Sequence, residues 1–227
     1  MRDMSARADF EAARNLLRKD ILSGELQPNS KLKIRELIAR YGISASPMRE
    51  ALSQLAATGI VLQQAQRGFR VPPVSAEELL DITASRQIIE AEALRLAIKN
   101  ASAEWENEIV ASFHIFEREI TRFYTARVKD FETYETHHHR FHSALIAACP
   151  LQALKEFCDE LYTRATRYRR LTRNYAFKKE PVIAEHRMLM DAVLQQQPRR
   201  AMEALRDHIG LTSDLTLKML NSSNRTG

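Results

Sequence analysis

The sequence predicts a mainly α protein, an N-terminal winged helix-turn-helix domain followed by a C-terminal all-helical antiparallel bundle. Three observations carry that expectation. Six Gly and seven Pro in 227 residues are too few for a turn-rich β-sandwich. Apolar residues recur at three- and four-residue steps along most of the chain, the period of a helix with one buried face. Between residues 60 and 71 that period gives way to two short β-like runs. A hydrophobic content of 44% with 28% charged residues is that of a globular protein and excludes wholesale disorder. No apolar run is long enough for a membrane span, and the first residues lack the apolar segment of a signal peptide. Cys149 and Cys158 cannot staple a chain of this size, so the expectation is reduced thiols and a cytoplasmic protein.

The head follows from local signals. Phe10, Ala13, Leu17 and Ile21 make one apolar face of a first helix over about 9–23, ended by Gly24 and the turn Leu26-Gln27-Pro28-Asn29. A short second helix is expected over 34–41, with Leu37, Ile38 and Tyr41 inward and Gly42 at its C-terminal end. After the tight connection Ile43-Ser44-Ala45, Ser46 offers an N-cap oxygen and Pro47 suits the first position of a third helix. Met48, Ala51, Leu52 and Leu55 form its buried stripe and Gly59 closes it, which puts Arg49 and Ser53 on the outer face. Ile60-Val61-Leu62 and Phe69-Arg70-Val71 then make a two-stranded ribbon, with Gly68 free to take a positive φ. A helix after a tight turn can enter a major groove, and a ribbon tip such as Arg67-Gly68 can reach the neighbouring groove or backbone. Pro72-Pro73 ends the ribbon.

The body reads as helix almost throughout. Ser75 is expected to cap its first helix ahead of Glu77 and Glu78, which suit the helix dipole. Helices are expected over 76–99, 103–127, 130–148, 151–175, 180–196 and 199–220, with Asn100, Pro150, Pro181 and Pro198 at or near the breaks. Six long helices with short connections imply an antiparallel bundle. The expected domains are 1–73, 74–222 and a soft tail at 223–227.

Charge separates the same two parts. Residues 1–73 hold twelve Lys and Arg against seven Asp and Glu, whereas the remainder is balanced at 22 of each. A basic head on a neutral body suggests a nucleic-acid-binding part beside a sensing or assembly part, with surface solubility as the bland reading.

Gly24-Glu25-Leu26-Gln27-Pro28, Tyr41-Gly42-Ile43-Ser44 and Ser46-Pro47-Met48-Arg49-Glu50-Ala51-Leu52, with Leu37, Leu55, Gly59, Gly68 and Val71, make the head resemble that of the GntR transcription-factor family. Glu78-Leu79-Leu80-Asp81-Ile82, Arg86 with Glu90, Phe141-His142, Glu185-His186 and Asp207-His208 make the body resemble the FCD effector domain of the FadR branch. The resemblance implies a ligand-responsive regulator, a homodimer that reads a pseudo-palindromic site on double-stranded operator DNA. It places DNA contacts at Arg35, Ser44, Ser46, Arg49 and the wing tip, Arg67 and Gly68. Many members carry a basic residue where this chain has Ala45, so an operator sequence does not carry over. The implied effector is a small carboxylate metabolite. Arg86 is the nearest matched cation to engage it, unless it serves only as the partner of Glu90 four residues on.

Seven histidines are present, four of them within His137-His138-His139-Arg140-Phe141-His142. His138 and His142 share one helical face, a common way to present two imidazoles to one metal ion. His186 and His208 fall on the last two helices, where a bundle can bring them to the first pair. The effector domains that the body resembles have a carboxylate or amide four residues before a histidine and two more histidines later. Here His138 holds that first position, and Glu135, one turn earlier, is the candidate to replace the carboxylate. Four imidazoles suit a divalent ion such as zinc or nickel. The alternatives are a hydrogen-bonded histidine core or a polar effector pocket, and His114, His137 and His139 are assigned to the surface. The basic run Arg164, Arg167, Arg169, Arg170 and Arg173 reads mostly as solvated helix. HExxH, P-loop, GxGxxG and nucleophile-elbow patterns are missing, so no catalytic residue is expected. Two rival readings stand beside this one: a direct metal sensor, and a metal-dependent enzyme with a fused head.

Overall fold

Nine helices and one small sheet form the described part of the chain, residues 2–64, 67–126, 130–172 and 179–223 of a computed structural model. They divide into two compact units, Met1–Ser75 and Ala76–Gly227.

The first unit contains α1 (Arg2–Leu22), β1 (Lys31–Leu32), α2 (Ile34–Tyr41), α3 (Ala45–Ala57), β2 (Leu62–Gln64) and β3 (Gly68–Arg70). Its core is the stripe expected from the periodicity: Ala13, Leu17 and Ile21 of α1 pack with Leu37, Met48, Ala51, Leu52 and Leu55. Helix α1 starts seven residues earlier than the apolar pattern does, because Arg2–Ala8 contains neither Gly nor Pro to stop it.

The turns need more correction. Helix α3 begins at Ala45 with Ser44, not Ser46, in the N-cap position, and Ser44 makes no side-chain cap bond. Met48 N–H donates to Ser44 O at 3.3 Å. Pro47 therefore sits third in the helix, still among the positions whose N–H has no partner within the helix, and its ring costs nothing there. At the other end Ile60 N–H donates to Leu55 O (3.0 Å) and Gly59 N–H to Ala56 O (3.2 Å). With Gly59 at φ 73° this is a Schellman ending, and buried Ile60 and Leu55 supply its apolar contact.

The ribbon has three strands rather than two, in the order β1-β3-β2 and antiparallel throughout. Lys31 pairs with Arg70 and Leu32 with Phe69, a two-residue strand too short to leave a periodic signal. Ile60 and Val61 lie before β2 and are core residues instead of strand residues.

The second unit is all helical: α4 (Ala76–Lys99), α5 (Ala103–Thr125), α6 (Phe131–Leu145), α7 (Gln152–Thr172), α8 (Lys179–Leu194) and α9 (Pro198–Ser223). Caps fix two of these starts. Ser102 Oγ accepts from Trp105 N–H at 3.2 Å, and Asp130 Oδ1 from Thr133 N–H at 3.0 Å. Pro198 opens α9, at the one helical position where its fixed φ helps. Ile109, Phe116 and Ile120 of α5, Phe141 and Leu145 of α6, Leu189 and Val193 of α8, and Leu205 of α9 form its core. Trp105 Nε1 donates to Ala144 O at 2.8 Å and ties α5 to the end of α6. The tail expected at 223–227 falls, but for Ser223, outside the described residues, as does Arg173.

Candidate metal centre and nucleic-acid interface

His138 and His142 of α6, His186 of α8 and His208 of α9 converge inside the second unit. One ring nitrogen from each lies within 4.8 Å of the other three. Ring centroids are 4.6 Å apart for His138 and His142 and 4.4 Å for His186 and His208. Below them lies an apolar floor, with fully buried Phe116 4.7 Å from the ring of His186 and 5.4 Å from that of His138.

Neighbours outside the quartet hold one ring nitrogen of three of the four histidines. His186 Nδ1–H donates to Val182 O at 2.7 Å, and His208 Nδ1–H to Glu185 Oε2 at 3.3 Å. Tyr162 O–H donates to Glu135 Oε1 at 2.8 Å, so its oxygen accepts from His138 Nδ1–H at 2.5 Å. In these three rings the proton is on Nδ1 and the lone pair on Nε2. The Nε2 atoms of His142 and His186 are buried and have no hydrogen-bond partner.

Electrostatics keep the quartet neutral. Burial, then His186, holds His138 well below the usual imidazole range, and burial, then His138, does the same to His142. Burial with His208 brings His186 to about 3, and burial with Arg86 brings His208 to about 3. Four neutral imidazoles, three of them with the lone pair on Nε2, fit a borderline divalent ion by donor type. Nitrogens bound to one such ion at about 2.0–2.1 Å in tetrahedral geometry are roughly 3.4 Å apart, so a pair at the 4.8 Å limit closes by about 1.4 Å on binding.

Glu135 does not enter the quartet. Its carboxylate accepts from Tyr162, from Thr166 Oγ1 at 3.1 Å and from Arg169, and stays 3.9 Å from His138 Nδ1. Arg86 is buried and bonded to Glu90, with Nε to Oε1 at 2.6 Å. The basic run is not solvated helix, which corrects the reading from composition. Arg164 and Arg167 donate to Glu78 (both 3.4 Å), Arg169 holds Glu135, and Arg167 is only 8% exposed. The missed residues Tyr162 and Thr166 stand at i and i+4 with Arg169, read from the sequence as solvated, at i+7, one polar face of α7, and that spacing was the available signal. Among the other histidines, His139 stacks on Tyr162 and meets Asp159 at 2.8 Å, His114 is exposed, and neither they nor His137 joins the quartet.

A cavity of about 480 Å³ borders the quartet at His142 and is lined from α4, α6 and α7, by Glu90, Tyr162, Cys158, Asp159 and Lys155 among others. Burial and then Glu90 push the Cys158 thiol up to about 12, so it offers no thiolate at neutral pH.

In the first unit the six residues expected to meet DNA are all exposed: Arg35 at the start of α2, Ser44, Ser46 and Arg49 at the start of α3, and Arg67 and Gly68 at the ribbon tip. Gly68 has φ 80°, and Arg70 fastens β3 by donating to Asn29 O at 2.7 Å and Oδ1 at 2.6 Å. No helix among the described residues is long and apolar enough to cross a membrane.

Residues 81–211 match the FCD domain, and residues 10–71 match the bacterial regulatory proteins of the gntR family. The HTH-type transcriptional regulator BphR of Paraburkholderia xenovorans is 40% identical over 205 residues, 90% of this chain and 84% of the relative. The HTH-type transcriptional repressor GlaR of Escherichia coli is 35% identical over 197 residues, 85% of this chain and 89% of the relative. Among solved structures, E. coli McbR/YncC superposes with a TM-score of 0.78 over 93% of this chain and 98% of that one, at 19% identity.

Proposed function

Given that the chain belongs to the GntR family of bacterial regulatory proteins, with an FCD domain as its body, and is thus a DNA-binding transcriptional regulator, we propose that it is a metal-dependent sensor of a small organic acid. The observation that carries this reading is the buried quartet of neutral imidazoles, two of whose Nε2 atoms have no protein partner. His138, His142, His186 and His208 would hold a divalent ion such as zinc or nickel. When bound, that ion supplies a localised positive charge on which a carboxylate can settle. The adjoining cavity has the size of a small-metabolite site. Lys155 in its wall can donate hydrogen bonds to a carboxylate, and Glu90, also in its wall, holds Arg86. We assign no residue a catalytic part.

The head reads operator DNA through Arg49 and its neighbours on α3, with Arg35, Arg67 and Gly68 on the flanks. Two copies joined through their bodies span a pseudo-palindrome. Repression is the favoured sign, because a relative at 35% identity is named a repressor.

The test is operator binding by full-length protein, metal-loaded and metal-stripped, against a panel of small carboxylates. An effect of one acid on operator affinity only in the metal-loaded form is the expected result. An effect of metal with no acid supports a direct metal sensor, and no effect of either overturns the reading.

A further inference from the structure

All four candidate donors are imidazoles, and Glu135 is linked to one of them through another side chain. Glu135 lies one turn before His138 but turns away from the quartet, toward α7. Between the two stands the phenol of Tyr162, which donates to Glu135 Oε1 at 2.8 Å and accepts from His138 Nδ1–H at 2.5 Å. Tyr162 is itself held by several neighbours. Its ring stacks on His139 at 4.3 Å, and the guanidinium groups of Arg169 and Arg86 lie over it at 4.3 and 5.3 Å. Arg169 and Thr166 in turn hold the Glu135 carboxylate.

We propose that Tyr162 is the positioning residue of the metal centre. It locks His138 into the Nδ1–H tautomer and aims its Nε2 at the ion, with Glu135 and Arg169 as the anchor behind it. The inference rests on the metal-centre reading above and deepens it. A carboxylate–histidine pair normally orients a metal ligand directly. Here the phenol is inserted between the two, so the negative charge is one residue further from the ion. The donors that touch the metal are then all neutral, and the ion keeps its full charge for an incoming anion. A site of this kind favours imidazole-seeking late metals over oxygen-seeking ones. It also makes His138, like His208 with Glu185 of α8, a ligand oriented by a side chain from another helix, whereas His186 is oriented by a backbone carbonyl of its own helix, Val182 O.

The experiment compares wild type, Tyr162→Phe, Glu135→Gln and His138→Ala as full-length proteins. Zn²⁺ affinity is measured by competition with a chromophoric chelator, and coordination by the visible absorption of the Co²⁺-loaded forms. Tyr162→Phe keeps the ring and removes the hydroxyl. It should weaken Zn²⁺ binding ~10–100-fold and move the Co²⁺ spectrum toward that of His138→Ala, a signature that a packing defect would not give. Glu135→Gln, which keeps an acceptor but not the charge, should do the same to a smaller degree. Tyr168→Phe is the control, because its hydroxyl donates to Glu78 at 2.6 Å, outside the quartet. A Tyr162→Phe protein with wild-type affinity and spectrum overturns the inference while leaving the metal centre intact. If that variant does not fold, Glu135→Gln decides on the same criterion. A wild-type protein that binds neither metal overturns both readings.

Discussion

The head and the body make their functional surfaces in opposite ways. In the head, apolar side chains are gathered into one core, and the residues proposed to meet DNA are those the helix period and the turns leave outside, Arg49 and Ser46 among them. In the body the proposed ligands lie inside the bundle, and two of them are held by partners far away in sequence, His138 by Tyr162 and His208 by Glu185. A surface site depends on local rules and tolerates substitution. A buried polar site depends on every member being satisfied, because an unpaired buried group is costly.

The largest expected effect tests whether the head is sufficient. Residues 1–75 hold a complete core of their own and should fold alone. They should nevertheless bind operator ~10²–10⁴-fold more weakly than the full chain, since joining two heads makes the second contact intramolecular. Titration of both proteins at one salt concentration decides it, and equal affinities would show that the body is not the dimerising element.

Next in size is removal of a buried donor. His186→Ala should abolish stoichiometric metal, read by elemental analysis of protein made without a histidine tag. It should also remove the thermal stabilisation that metal confers on wild type, about 2.7 kcal/mol at a hundredfold excess over Kd. Metal content that survives the substitution would take His186 out of the site.

On the head, Arg49→Ala should weaken specific binding by ~1–3 kcal/mol if the guanidinium reads a base edge. If it meets phosphate, operator and unrelated DNA should lose affinity together, with the salt slope smaller by about one. Unchanged binding to both DNAs removes Arg49 from the interface. The smallest effect is at the ribbon tip. An added Cβ at Gly68 meets nothing within 4 Å, so Gly68→Ala carries only the backbone cost of φ +80°, on the order of 1–2 kcal/mol. Thermal unfolding measures it, and a stability equal to wild type would mean that the tip relaxes to a negative φ.

What could be read from the sequence follows the same division. Helix α2, the ending at Gly59 and the buried stripe of α3 were legible because each is set by residues within a turn or two. Helix α4 was legible from Ala76 to Lys99 for the same reason. The true start of α3 was not, because Ser44 and Ser46 are equivalent by composition and only the chain's path separates them. The four histidines could be named from spacing and resemblance, whereas the protein groups that orient them could not. Tyr162 is 24 residues from His138, and a polar face on α7 looks the same in sequence whether water or Glu135 lies against it.

Helix α7 carries a consequence in its two tyrosines. Tyr162 grips Glu135 of α6, and Tyr168, six residues on, grips Glu78 in the first turn of α4. At 1.5 Å per residue the two hydroxyl-bearing positions are about 9 Å apart on one stiff rod. An axial slide of α7 strains both grips at once, whereas displacement of α4 or α6 alone strains only one. The bundle therefore has a mechanical grain. Any motion that carries α7 along its axis reaches the first turn of α4 and the wall of the imidazole cluster in the same stroke.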